Sequence, residues 1–366
     1  MYKKKILYYF LMTLTILVLI GCTKKTNDNK TNNDKVILPT VTVAPTIAPT
    51  EVITQTPSHE GEMKSYLSGE WVSKEIGLRR PIAYAFNNFK TVRNQWGISQ
   101  ADIVYECLVE GGITRLLGVG ENFSGDRIGS TRSARHYFVS IADEYDAIYV
   151  HFGGTSYAKD KIKELGVDEI DGITGMGGNA FYRDKSIKAP HNAFSSLKLL
   201  QKSISTYGYE TQYPDGYKSH FAFYDQDTDL TGGSAADNRI GIHFSKYNDP
   251  YFEYNSEDKL YERFQFGEAH VDSLTDKQLA FKNIIIQFVK EWNIDKKGYQ
   301  TMDLTNASGE GYYITNGKRV KITWKKKEAD SWMRYYDETG EELTINPGKT
   351  FIALFPNSRT SDVSIN

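Results

Sequence analysis

Residues 103–120 read IVYECLVEGGITRLLGVG, two apolar-rich runs on either side of Gly111 and Gly112. Apolar runs joined by two glycines are typical of a β-hairpin, because glycine readily adopts the positive φ angles of its tight turn. The run PIAYAF at 81–86 has the composition of a further strand, and the Asn-Asn that follows it favours a turn. These stretches predict that the first half of the folded chain is built on a sheet.

The predicted hairpin brings three charged side chains together. If the two glycines form the turn, Leu108 pairs with Arg115, and Glu106 and Glu110 flank Leu108 on the same face. One interpretation is an ion pair that fixes the strand register. The other is a carboxylate pair in a cleft, in which one carboxyl group acts as a general acid and Arg115 tunes its pKa.

Helices and strands alternate after the hairpin. The sequence predicts helices over residues 131–145, 156–165 and 195–206, and a strand over residues 147–152. From about residue 241 the chain becomes β-rich, with a predicted strand over 281–288 and a hairpin turn at Asn316 and Gly317. The predicted fold class is α+β: a mixed α/β first domain with three or so helices, then a mainly antiparallel β second domain.

The first 22 residues have the pattern of a bacterial export signal. Lysines at 3–5 precede an apolar run over 6–20, which is shorter than the ~20 residues that span a membrane. The run is followed by Gly21 and Cys22, which resembles the lipobox, where the cysteine is acylated and the chain is cut before it. We expect a signal peptide over 1–21 and a lipid on Cys22 that holds the protein at the extracytoplasmic face of the cell membrane. The alternative is an ordinary secretory signal or an uncleaved anchor.

Composition divides the rest of the chain. Residues 22–64 are rich in Thr, Asn, Lys and Pro and cannot bury a core, so we predict a disordered tether. Beyond it we expect a first domain over 65–225 and a second over 240–366. The formal net charge of -2 gives no sign of nucleic-acid binding. Cys107, the cysteine of the folded part, is predicted to be a small buried side chain.

An unusual charge pattern marks the start of the first predicted helix. Arg132, Arg135 and His136 are spaced to share one face of its first turns. The N-terminus of a helix is already positive, so cations there cost stability unless an anion compensates. The anion could be internal, from the hairpin carboxylates or Asp126. It could also be a bound ligand, since free backbone N–H groups at a helix start bind anions.

Four further polar residues stand at the ends of predicted elements. His151 ends a predicted strand, where ligands of α/β sheets commonly bind, and Arg183, His191 and Asn192 precede the third helix. Each has a structural interpretation too, such as a core histidine for His151 or a helix cap for Asn192. Together with Arg115 and the three residues at the helix start, they form the predicted ligand-binding set.

The sequence lacks the motifs of several common enzyme classes. It contains no P-loop, no His-Glu-x-x-His, no nucleophile elbow and no Cys-x-x-Cys. The seven histidines are scattered, and no two have the spacing of metal ligands on a helix. We therefore predict no metal and no cofactor.

Several of these stretches, taken in order, resemble the YerB-like family of bacterial lipoproteins. They are RPIA at 80–83, SQADIVYE at 99–106, EGGITR at 110–115, RSAR at 132–135 with YF at 137–138, PHN at 190–192, ITWKK at 322–326 and NPGKT at 346–350. The resemblance implies a two-domain, membrane-tethered lipoprotein with no established reaction, and it points to the cell-wall synthesis machinery as a source of partners. One departure is GST at 129–131, where the family pattern has Gly-Pro-Val.

The sequence favours a binding protein over an enzyme. The first hypothesis is that the Arg/His set holds an anionic ligand of the cell envelope, such as a wall polymer, or an acidic cell-wall synthesis protein. The second is a cell-wall glycan hydrolase or lyase that uses Glu106 or Glu110 as its acid/base. The third is a non-catalytic scaffold of a membrane complex, in which the polar clusters are internal ion-pair networks.

Overall fold

The computed structural model of the chain describes residues 58–328 and 331–366. The predicted signal peptide over 1–21, the predicted lipidation site Cys22 and most of the predicted tether lie outside the described residues. Within the described ranges, no helix is long and apolar enough to cross a membrane.

Two of the helices carry clear sequence signals at both ends. The α-helices are α1 (Lys74–Gly77), α2 (His136–Glu144), α3 (Ser156–Leu165) and α4 (Leu197–Tyr207), and short 3₁₀ helices cover Lys90–Val92, Ile98–Gln100, Glu110–Gly112, Gly175–Ala180 and Asn357–Asp362. The hydroxyl groups of Thr155 and Ser196 cap α3 and α4 by accepting from backbone N–H groups. Both helices end at a glycine in the left-handed conformation, Gly166 and Gly208. Helix α3 has the predicted bounds of 156–165, and α4, predicted over 195–206, begins two residues later and ends one residue later.

Strands dominate the described residues. Those of the first half are β1 (Glu62–Lys64), β2 (Trp71–Ser73), β3 (Ile82–Asn88), β4 (Ile103–Leu108), β5 (Thr114–Gly120), β6 (Ile128–Gly129), β7 (Ile148–His151), β8 (Glu169–Asp171), β9 (Tyr182–Arg183), β10 (Ala193–Ser195) and β11 (Ala222–Phe223). Those of the second half are β12 (Ser234–Ala235), β13 (Arg239–Ile242), β14 (Tyr251–Asn255), β15 (Leu260–Gln265), β16 (Glu268–Ala269), β17 (Val271–Asp272), β18 (Lys277–Gln278), β19 (Ala280–Phe281), β20 (Asn283–Val289), β21 (Glu291–Asn293), β22 (Gln300–Met302), β23 (Ala307–Thr315), β24 (Lys318–Lys326), β25 (Arg334–Tyr336), β26 (Thr344–Ile345), β27 (Thr350–Pro356) and β28 (Val363–Ile365).

One large sheet runs through both halves of the chain. Its order is β12-β24-β23-β20-β27-β4-β5-β3-β7-β8, with β25 beside β24. β27 pairs in parallel with both β20 and β4, so the strands of the second half continue those of the first. A second sheet has the order β16-β15-β14-β13-β28, and its pairs are antiparallel. The α-helices of the described residues all lie in the first half, so the predicted α+β class is confirmed.

The hairpin at 103–120 forms, but its predicted register is wrong. A 3₁₀ turn over Glu110–Gly112 gives the loop three residues instead of two. The strands therefore pair Arg115 with Cys107. Because side chains alternate along a strand, a shift of one residue turns them to the other face of the sheet. Arg115 and Glu106 thus lie on opposite faces.

The helix predicted from residue 131 begins five residues later. α2 starts at His136, with Arg135 as its N-cap residue, and the chain before it is extended. Strand-like hydrogen bonds replace the first helical turn: the Arg132 N–H donates to the Ala85 carbonyl at 2.9 Å, and the Phe152 N–H donates to the Arg132 carbonyl at 3.0 Å. The predicted sharing of one helix face by the two arginines and His136 is therefore wrong.

In the second half one turn is confirmed and one strand is divided. Asn316 and Gly317 both have positive φ and connect β23 to β24, as predicted. The strand predicted over 281–288 is split into β19 and β20 at Lys282, whose side chain turns to pair with Asp227 at 2.7 Å.

The large sheet buries apolar side chains on both faces. One face packs against α2 and α3, with Tyr137 and Phe138 among its buried side chains. The other face packs against the second sheet, where Phe252 and Phe281 are buried. Cys107 is fully buried on the first face, so the prediction for it is confirmed.

Candidate anion-binding site

The extended segment before α2 fills a gap between two parallel strands. β3 and β7 pair along Ile82–Tyr84 and then separate. The segment bonds to β3 through Arg132 and to the turn after β7 through the Ala134 N–H, which donates to the Gly153 carbonyl at 2.8 Å. Gaps at the carboxyl ends of parallel strands commonly bind ligands. The segment brings the side chains of Arg132 and Arg135 to this edge of the sheet.

Arg135 is 8% exposed and pairs with Glu110. Its Nε donates to the two carboxylate oxygens at 2.9 and 3.0 Å, and its Nη2 donates to Oε2. Burial raises the pKa of Glu110, but the hydrogen bonds and charge of Arg135 outweigh it and hold that pKa below its usual 4.5. Glu110 is therefore ionised at neutral pH, the opposite of what a general acid needs.

Arg115 is 3% exposed and forms no ion pair with any described residue. Its Nη1 donates at 2.5 Å to the Ser133 carbonyl, which also accepts from Arg135 at 3.3 Å. Burial, together with the charges of Arg135 and Arg132, lowers the pKa of Arg115 to about 9. A buried cation without a counter-ion is costly. Around Arg115, three guanidinium groups therefore share one carboxylate, that of Glu110.

Arg132 is half-buried and likewise has no ion pair in the part of the chain that the structure describes. Its Nη1 donates to the Pro190 carbonyl at 3.1 Å. The next residue, His191, stacks on Phe89 with ring centres 4.6 Å apart, and its Nδ1 lies 3.0 Å from Asn87 Nδ2. Burial and the Arg132 charge lower the pKa of His191. The structure thus brings His191 beside Arg132.

The two other histidines of the predicted set have internal partners. His136 Nε2 lies 2.7 Å from Thr301 Oγ1, and burial and neighbouring cations lower its pKa to about 4. His136 is therefore neutral at pH 7. His151 Nδ1 lies 2.9 Å from the Gly153 carbonyl, and its Nε2 lies 2.7 Å from the Glu169 carboxylate. Both rings position the polypeptide around the arginines.

Arg183 and Asn192 lie together at the edge of the site. The Arg183 Nη1 donates to Asn192 Oδ1 at 2.7 Å, and its guanidinium lies 4.7 Å from the centre of the Phe152 ring. Asn192 Nδ2 donates to the Asp184 carbonyl at 3.1 Å. Asn192 holds this loop and does not cap the following helix, since Ser196 does so.

Glu106 lies on the other face of the sheet and is fully buried. Its Oε2 accepts from Arg263 at 2.6 Å, and its Oε1 accepts from Thr114 Oγ1 at 2.6 Å and Asn88 Nδ2 at 3.0 Å. Arg263 is fully buried too, and it belongs to the second half of the chain. This geometry supports a structural role for Glu106 and gives no support to an acid/base role.

Sequence reasoning missed Tyr149 and Arg263. The Tyr149 hydroxyl is buried with no hydrogen-bond partner among the described residues. Burial raises its pKa, and the charges of Arg115 and Arg135 oppose that rise, which places the hydroxyl near the arginines. Tyr149 stands two residues before His151, so the two side chains lie on the same face of β7. The alternation of side chains along a strand would therefore have indicated Tyr149 as a neighbour of the site. Arg263 meets Glu106 only through a long-range contact, for which the sequence carries no local signal.

Matches to family models divide the chain into two parts. Residues 67–210 match the N-terminal domain, and residues 240–352 the C-terminal domain, of "Protein of unknown function (DUF3048)". The chain belongs to this two-domain family of unknown function. The predicted boundaries at 65–225 and 240–366 stay predictions.

A relative in Bacillus subtilis (strain 168) carries the name "Putative lipoprotein YerB". It is 30% identical over 312 residues, which cover 84% of this chain and 91% of the relative. The crystal structure of the YerB protein from Bacillus subtilis is also similar, with a TM-score of 0.73 and 28% identity, over 83% of this chain and 99% of that one. The resemblance to YerB-like proteins is confirmed.

Proposed function

We propose that this protein binds an anionic group of the cell envelope through Arg115, Arg132 and Arg135. The observation that carries the proposal is the imbalance of charge at one edge of the sheet. Among the described residues, Glu110 is the one carboxylate that pairs with any of the three arginines, and it pairs with Arg135. An anion bound at Arg132 would compensate the positive charges of Arg115 and Arg132, which pair with no carboxylate of the described residues.

The arginines differ in what they offer a ligand. Arg132 is half-exposed and is the first that a ligand would meet. Arg115 and Arg135 are held behind it by the shared Ser133 carbonyl, so little conformational freedom is lost on binding. Guanidinium groups bind phosphate and carboxylate through paired hydrogen bonds. A phosphate-bearing wall polymer, or an acidic segment of a cell-wall synthesis protein, has the chemistry that this site recognises.

The proposal includes a location at the membrane. The lipobox-like ending at Cys22 and the name of the Bacillus subtilis relative support a lipoprotein anchored at the extracytoplasmic face. In cells fed a labelled fatty acid, the wild-type chain should carry the label and the Cys22→Ala variant should not. Equal labelling of both would exclude this anchor.

Binding is tested by titrating the full chain, in detergent, with polyphosphate. We expect Arg132→Glu to weaken binding at least about tenfold, because the substitution replaces attraction by repulsion. The melting temperature should stay nearly unchanged, since Arg132 has no ion pair to lose among the described residues.

The matched control is Lys202→Glu, which makes the same charge change at an exposed position of α4. It should bind polyphosphate as the wild type does. Equal weakening by both substitutions would mean that only net charge matters, and unchanged binding by Arg132→Glu would refute the site.

A further inference from the structure

A cavity of about 600 Å³ lies where the two halves of the chain meet. Residues 88–90, which follow β3, line one side of it, and residues 246–249, Arg239, Tyr251 and Phe266 line the other. The loop over 246–249 is fixed to the first half, because Asn248 Oδ1 accepts from the Thr114 N–H at 3.1 Å. Ligand sites commonly form at such junctions.

The cavity is adjacent to the arginine site. Phe89, which lines the cavity, stacks on His191 with an angle of 13° between the rings. The residue before His191 accepts a hydrogen bond from Arg132. A ligand long enough to pass the Phe89–His191 stack would contact both places.

The lining of the cavity is positively charged. Lys90, Arg239 and Lys246 form no ion pair with the residues that the structure describes. The acidic residue of the lining, Asp249, has its Oδ1 3.3 Å from His243 Nδ1. The balance of charge favours an anionic ligand.

Aromatic side chains face the same space. Tyr247 is 53% exposed, with the Lys246 ammonium 5.0 Å from its ring centre. Phe266 has a φ of 54° because it forms, with Gly267, the two-residue turn between β15 and β16, and it lines the cavity.

One amide in the lining has an unused donor group. Asn248 is only 2% exposed, and the Thr114 N–H occupies its Oδ1. Its Nδ2 has no hydrogen-bond partner among the described residues. This nitrogen is not one of the fully buried unpaired polar atoms, so it can donate to a ligand or to water in the cavity.

We infer that this cavity binds a sugar ring of an acidic carbohydrate chain. The apolar face of the ring packs on Tyr247 and Phe266, a ring hydroxyl accepts from Asn248 Nδ2, and the acidic substituent lies among Lys90, Arg239 and Lys246. The inference deepens the proposed function by naming a ligand class, and it rests on that function for the anionic character of the ligand.

The test compares four probes on the full chain in detergent: a heparin-derived hexasaccharide, the neutral chitohexaose, polyphosphate and a single-stranded oligo-dT. We expect the acidic hexasaccharide to bind more tightly than chitohexaose and oligo-dT. Tyr247→Ala should weaken hexasaccharide binding about tenfold and leave polyphosphate binding unchanged. Trp71→Ala is the control, because Trp71 is also an exposed aromatic (45%) near a lysine and lies outside the cavity lining.

The outcomes separate this inference from the proposed function. The inference is overturned if the hexasaccharide does not bind, or if Tyr247→Ala leaves its binding unchanged. This holds even if polyphosphate still binds through Arg132. Equally tight binding of oligo-dT or of chitohexaose also overturns it, in favour of a nucleic-acid surface or a neutral-sugar site. If Tyr247→Ala weakens hexasaccharide binding but Arg132→Glu leaves polyphosphate binding unchanged, the carbohydrate site in the cavity is supported and the anion site at the arginines is refuted.

Discussion

At the residue scale, the buried Glu106–Arg263 pair is expected to stabilise the fold. Glu106→Gln leaves the Arg263 guanidinium buried without a carboxylate, which we expect to lower the free energy of unfolding by about 3–5 kcal/mol. Urea titration measures the loss. Glu253→Gln, at an exposed position of β14, is the control and should change little. A fully stable Glu106→Gln variant would contradict the structural role.

His220 gives a second prediction at this scale, on pH dependence. The ring is buried, neither nitrogen has a hydrogen-bond partner among the described residues, and burial lowers its pKa from 6.5 to about 3. Between these values the unfolded chain binds the proton and the folded chain does not, so His220 costs stability increasingly as the pH falls below 6.5. His220→Phe keeps a ring to stack on Tyr145 and removes this cost.

The measurement for His220 is the free energy of unfolding of both proteins at several pH values. The advantage of His220→Phe over the wild type should grow by up to about 1.4 kcal/mol per pH unit as the pH falls from 6.5 towards 3. An advantage that does not change with pH would contradict the lowered pKa.

At the element scale, α3 shows how a local signal fixes a helix boundary. Thr155 Oγ1 accepts from the Ala158 N–H at 3.1 Å. Thr155→Ala should therefore lower the free energy of unfolding by about 1 kcal/mol. Thr155→Ser loses the same methyl group but keeps the hydroxyl, so it isolates the cap. Equal losses in the Ala and Ser variants would show that the hydroxyl contributes nothing.

Local signals also explain which elements could be predicted. The cap of α3 and the Asn316-Gly317 turn depend on neighbours in sequence and are where the sequence places them, and α4 begins two residues after its predicted start at 195. The start of α2 could not be predicted, because β3 and β7 hold the preceding segment extended. The predicted hairpin register was wrong because the loop contains one more residue, Glu110, than predicted. The extra residue places Arg115 on the opposite face of the sheet from Glu106.

At the scale of the whole molecule, the parallel pairing of β27 with β4 makes the two halves depend on each other. Scanning calorimetry should show a single unfolding transition for the full chain, with equal calorimetric and van't Hoff enthalpies. A fragment of residues 58–238 would expose the edge of β4 and leave Glu106 without Arg263, so it should be cleaved much faster by protease. Two separate transitions, or a protease-resistant fragment, would contradict this dependence.

The candidate site was predictable as a set of residues but not as a geometry. The unusual arginines near residue 132 are visible in the sequence, whereas their meeting with Arg115 depends on the sheet register and on the Ser133 carbonyl. His191 reaches Arg132 through the loop at Pro190, a contact between distant parts of the chain. Such contacts follow from the fold and have no local signature.

Anion binding by the arginine site can be tested by a crystal structure of the protein grown with selenate, in which anomalous scattering from selenium locates the anion. We predict selenate bound to the Arg132 guanidinium, within reach of Arg115 and beside His191. Crystals whose selenate lies elsewhere, with nothing at Arg132, would contradict the account.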